Sequence, residues 1–160
     1  MTRSKWLVLS SVALAIGVAC GGDDTTAPAP ETFTATLNGA GERPTPVTTA
    51  ATASATFTLS ADGNTLTWNV TTTGANNVTA SHIHIGGTEV AGPIALGLFA
   101  GTATNNPPIT GSVTRAAFAS PLGISFDALI SLMRSGDTYV NVHTSAFPGG
   151  EIRGKITLVP

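Results

Sequence analysis

The chain has 160 residues and a formal net charge of −2, with 10% charged and 42% hydrophobic side chains. That length suits one domain with appendages. The lack of any basic run argues against nucleic acid or anionic lipid head groups as partners, and a single cysteine excludes an internal disulfide.

Residues 1–19 place Arg3 and Lys5 ahead of an apolar run, Trp6 to Ala19, that ends in small residues. This is the pattern of an export signal, and it is shorter than the roughly 20 apolar residues a membrane span needs. Cys20 follows Gly17-Val18-Ala19. The segment resembles a bacterial lipoprotein lipobox, whose cysteine is acylated and becomes the new N-terminus; Gly17 stands where that pattern prefers leucine. Residues 20–31 then read as a lipidated cysteine and a flexible, proline-containing tether. The expected location is the bacterial cell envelope, lipid-anchored (at the outer membrane) or secreted. After cleavage at Cys20, five cations against nine acids leave a net charge of −4.

Residues 32–159 are the predicted domain. Phe33, Ala35 and Leu37 alternate with threonines as a first strand, and a loop rich in Gly and Pro follows. Ala53, Ala55, Phe57 and Leu59 form a second strand and Leu66, Trp68 and Val70 a third, with Asp62-Gly63 as the hairpin turn between them. Trp68 is expected in the core. Val78 to Ile85 is a strand bounded by Gly86-Gly87, and residues 93–100 are another. Residues 101–108 read as a loop, and Ile109 to Val113 as a short edge strand.

Phe126, Leu129, Ile130 and Met133 instead follow helical spacing. Ser125 is the expected N-cap, Asp127 suits the first turn, Arg134 the last, and Gly136 the stop. Tyr139 to Thr144 and Glu151 to Leu158 are the final strands, joined by Pro148-Gly149-Gly150. The predicted fold class is therefore all-β: an antiparallel β-sandwich of about eight short strands, Greek-key or superoxide-dismutase-like, with one short helix near 125–135.

All three histidines, His82, His84 and His143, lie on two of these strands. Alternation puts His82 and His84 on one side of their strand and Ile83 and Ile85 on the other. Likewise Tyr139, Asn141 and His143 oppose Val140 and Val142, and Glu151, Arg153 and Lys155 oppose Ile152 and Ile156. The polar set is expected on non-core faces. His-x-His with a third histidine can supply three positions of a tetrahedral site, and imidazole favours zinc or copper. That reading requires the ring nitrogens to converge within about 4 Å, because ligand bonds are near 2 Å. The alternative is that the rings bond to Glu151, Asn141 or backbone carbonyls and hold loops in place. Glu151 and Arg153, at i and i+2, are expected to pair with each other; an anionic or peptide ligand is the other reading. Tyr139 is left open between the core and the site. No catalytic residues are expected: the cysteine sits at the leader boundary, Gly-x-Ser-x-Gly is absent, and Gly86-Gly87 lacks the lysine and helix of a phosphate cradle.

With those segments in view, the chain resembles the CHRD domain, named for the animal protein chordin and common in bacterial secreted proteins. The resemblance rests on Leu37-Asn38-Gly39 with Glu42 and Pro44, on residues 80–86, on Gly136 with residues 139–144, and on residues 148–156. It implies an extracytoplasmic all-β sandwich and little about activity. The His82-to-Gly86 strand is also similar to the metal strand of copper/zinc superoxide dismutases, but the further histidines and aspartate of that bimetallic centre are missing. The functional expectation is a membrane-tethered, non-enzymatic binding or adhesion module with an envelope or extracellular ligand. The alternative is a copper- or zinc-binding envelope protein using His82, His84 and His143, for metal handling or a redox reaction, with Tyr139, Asn141, Glu151 and Arg153 in support.

Overall fold

The computed structural model describes residues 28–160, so the predicted leader, Cys20 and most of the tether lie outside the described residues. The elements are β1 (Glu31–Asn38), a single 3₁₀ turn at Gly39–Gly41, β2 (Thr52–Leu59), β3 (Thr65–Thr73), β4 (Val78–Ile85), β5 (Ile94–Thr104), β6 (Ile109–Thr114), α1 (Phe126–Ser135), β7 (Thr138–Thr144), β8 (Ile152–Lys155) and β9 (Thr157–Leu158).

The strands join in one continuous sheet of order β5-β4-β7-β8-β1-β2-β3-β6, with β9 also on β1. Every pairing is antiparallel. The two end strands, β5 and β6, approach each other, so the sheet curls into a barrel-like sandwich. Chain order and spatial order part after β3, where the chain crosses to the other end of the sheet and lays β4 between β5 and β7.

The alternating sequences produce this directly. In register, Phe33 faces Phe57, Ala35 faces Ala55 and Leu37 faces Ala53, all turned into the core. The turn after β2 is the expected one: Gly63 takes a positive φ of 68° and donates its N–H to the Ser60 carbonyl at 2.8 Å. Trp68 is only partly buried, resting on the core with its ring over Gly111 of the neighbouring strand.

The helix also matches its sequence signals. Ser125 Oγ accepts from the Ala128 N–H, Gly136 ends the helix in the left-handed conformation, and Phe126, Leu129, Ile130 and Met133 are buried. Arg134 anchors the helix end to Glu31 at the start of β1.

Two boundaries differ from expectation. Residues 101–104, read as loop, continue β5, because Thr104 still pairs with Val78 of β4. The single strand expected over Glu151 to Leu158 divides at Ile156, whose buried side chain and N–H bond to Thr138 take it out of the ladder with β1. Glu151 itself precedes β8.

Candidate functional site

Strands β4, β7 and β8 lie side by side, so their non-core residues form cross-strand rows. His84 faces Tyr139, which faces Lys155; His82 faces Asn141, which faces Arg153. His143 lies one step along, opposite Ala80. On the opposite face Ile83, Val140, Val142 and Ile152 are fully buried. The alternation therefore separates polar from apolar residues as expected.

The polar face is not open, however. Tyr139, Asn141, Glu151, Arg153 and His84 are all buried, while His82 and His143 are partly so. Loops after β1, β4 and β7 fold over it, and the latter two supply backbone acceptors. His84 Nδ1 lies 2.8 Å from the Gly92 carbonyl, and His143 Nδ1 lies 2.9 Å from the Pro148 carbonyl. A carbonyl can only accept, so each Nδ1 carries the proton and each Nε2 keeps a free lone pair. Gly92 can reach so close because it has no side chain: a Cβ there would sit 1.6 Å from the Ile85 carbonyl oxygen.

The two Nε2 atoms converge on the Asn141 side-chain amide, 3.2 Å away for His84 and 3.1 Å for His143. The two ends of an amide exchange by a half-turn, and only the NH₂ end can donate to two bare nitrogens. His82 Nδ1 lies 3.0 Å from His143 Nε2. One nitrogen from each of the three rings lies within 4.8 Å of the others. Ligands on one ion, at about 2 Å each, stand no more than about 4 Å apart. The three rings thus share one place, in a spacing slightly wider than an ion would impose.

Burial disfavours charge on all three rings. His82 is pushed down to about 4 by desolvation, reinforced by its two histidine neighbours. His84 and His143 are lowered as well, chiefly by burial, against the opposing effect of their bonds to Gly92 and Pro148. At neutral pH the cluster is uncharged, the state in which imidazole binds metal.

The expected Glu151–Arg153 pair does not form. Glu151 accepts from the Thr49 hydroxyl at 2.6 Å, across the loop after β1. Arg153 turns the other way: it donates to the Gly87 carbonyl at 2.6 Å, and its guanidinium carbon lies 3.4 Å from the Tyr139 ring centre. Cation–π stacking and a backbone acceptor replace the carboxylate partner. His84 stacks on the same tyrosine, centroids 4.8 Å apart and planes 7° from parallel. His84 and Arg153 come from opposite flanks of β7, so Tyr139 is layered between them. Its hydroxyl accepts from the Gly92 N–H at 3.0 Å, which places the tyrosine in the site's framework.

The rings bond to Asn141 and to backbone carbonyls, as the loop-holding alternative requires, but not to Glu151. Those bonds also aim the histidines at a common point, with nitrogens up to 4.8 Å apart where the metal reading requires about 4 Å.

The family model for the CHRD domain matches residues 33–156. The chain belongs to the CHRD domain family. No curated protein and no solved structure matches it. The CHRD segments Leu37 to Pro44, 80–86, 139–144 and 148–156 are the pieces that build this face, in strand and covering loop alike.

One residue of those segments was not expected at the site. Glu42 is 4% exposed, its Oε1 has no hydrogen-bond partner, and its carboxyl lies against Gly150. Burial pushes it up to about 7, against the pull of Arg153 and of the Arg43 backbone N–H and charge. A glutamate within a Gly- and Pro-rich loop reads from sequence as solvated, and only its place in the CHRD motif distinguished it.

Proposed function

We propose that this CHRD chain is a lipid-anchored, extracytoplasmic binding module without catalytic activity, whose ligand is a copper or zinc ion held by His82, His84 and His143. One observation carries the reading: backbone carbonyls at Gly92 and Pro148 hold the Nδ1–H groups of His84 and His143, so both Nε2 lone pairs aim at one place beside His82. A second bond that fixes tautomer and ring direction is what metal-binding histidines ordinarily have. Asn141 stands with its Oδ1 at those nitrogens, and a half-turn of its amide brings the NH₂ end there to satisfy the lone pairs without an ion. Closing the spacing to about 4 Å requires small ring movements, which the partly exposed His82 can supply. Copper is expected to bind more tightly than zinc.

Elemental analysis and calorimetry of the mature chain test this. About one equivalent of metal is expected, lost in the variant carrying His82→Ala, His84→Ala and His143→Ala together. No uptake, or equal uptake by that variant, refutes it. The anchor rests on Cys20 after a small-residue leader end. Acyl labelling in a bacterial host should be lost in Cys20→Ala, and persistence of the label would remove the lipoprotein reading.

A further inference from the structure

On the Arg153 side of Tyr139 lies a cavity of about 190 Å³ lined by Arg43, Thr88, Tyr139, Arg153 and Lys155. Three cations from two separate segments converge there. Arg153 and Lys155 are two apart on β8 and share its polar face; Arg43 comes from the loop after β1.

Two of these charges, Arg153 and Lys155, have no ion-pair partner among the described residues. Arg153 is 3% exposed. Among the described residues one of its five N–H donors is bonded, to the Gly87 carbonyl. Burying a guanidinium without a counter-charge costs several kcal/mol. Glu42, the buried acid whose charge acts on Arg153, is itself protonated about half the time near neutral pH. Arg43 is engaged by Glu89 through two bonds of 2.9 and 3.0 Å, but that carboxylate is 73% exposed and stands at the rim.

We propose that this cavity is an oxyanion-binding site, in which Arg153, Arg43 and Lys155 take a phosphate or carboxylate group. The planar fork of a guanidinium matches both. The volume lies below the roughly 300 Å³ where drug-sized ligand sites begin, so it fits a head group and not a whole nucleotide. Glu89 occupies the place on Arg43 that an incoming anion would use, and acts as a competitor from the chain itself. The histidine cluster lies across Tyr139, and the anion site needs no metal.

The test is calorimetric titration of metal-free mature protein, kept in chelator, with inorganic phosphate and separately with acetate. Saturable binding is expected with at least one; the tighter of the two identifies a phosphate or a carboxylate as the natural group. Lys155→Gln and Arg43→Gln, both at the accessible rim, should each weaken it by about 5-fold, and Glu89→Gln should strengthen it by a similar factor. Arg115→Gln, a remote cation, should leave it unchanged. No saturable binding of either probe, equal affinity in both rim variants, or an equal loss in Arg115→Gln overturns the proposal. Because all of these variants lie outside the core, failure to fold does not confuse the result, and loss of metal binding has no bearing on it.

Discussion

Replacing Glu42 by glutamine tests whether the buried carboxyl has the ionisation its surroundings impose. In the unfolded chain a glutamate titrates near 4.5, whereas in the folded protein Glu42 is raised to about 7. Between those values the folded state keeps a proton that the unfolded state has released. Wild-type stability from this group is therefore full below pH 4.5, falls as pH rises, and levels off above about 7. At 1.36 kcal/mol per pKa unit the interval is worth about 3 kcal/mol. Glu42→Gln keeps the shape and cannot ionise. Its stability relative to wild type should improve by about 3 kcal/mol from about pH 4 to about pH 8. The three histidines titrate in both proteins and cancel in the difference. Urea unfolding at a series of pH values and constant ionic strength gives the numbers. A difference that stays flat with pH, or turns against the variant as pH rises, refutes the reasoning; the second outcome would mean Glu42 is ionised and paired with Arg153.

Zinc affinity, followed by competition with a chromogenic chelator, should stay level as pH falls to 6.5 and decline only below it, because all three rings are held below the ordinary imidazole value. A decline already under way above the ordinary imidazole value would show solvent-like rings. Gly150→Ala should lower stability by about 1–3 kcal/mol in a thermal melt, since φ there is 127° and a Cβ would stand 2.7 Å from Glu42 Oε1; an unchanged Tm contradicts that packing. Ile83→Ala, at a fully buried position of β4, should cost about 2–5 kcal/mol in urea unfolding, and a cost under about 1 kcal/mol would mean the strand does not face the core as described.

Much of the fold was legible because its signals are local. Alternation in Phe33 to Leu37 and Ala53 to Leu59, the glycine of the Asp62-Gly63 turn, and the stripe and caps of the helix each depend on neighbours within a few residues. The same rule put His82 and His84 on one face and Tyr139, Asn141 and His143 on another that meets it. Alternation does not show what lies over a face. It led to polar residues on non-core faces with nothing said of what covers them, and loops carrying Gly41, Gly92 and Gly150 press closely enough to bury them. The failed Glu151–Arg153 pair has the same origin. Two side chains at i and i+2 can meet, but Thr49 and Tyr139 arrive from elsewhere in the chain and make better partners. The Gly- and Thr-rich residues 101–104 were read as loop because their β pairing is set by the partner strand and not by their own hydrophobicity.

The carbonyls of Gly92, Pro148 and Gly87 belong to connecting segments, while the side chains they steer stand on strands. Direction and position are thus under separate control. A single insertion between residues 86 and 93 would swing two of those oxygens, turning His84 and releasing Arg153 while Ile83 and Val140 stayed in place. The geometry of both proposed sites can accordingly be rewritten by changing the length of a connection, with the barrel-like body left intact.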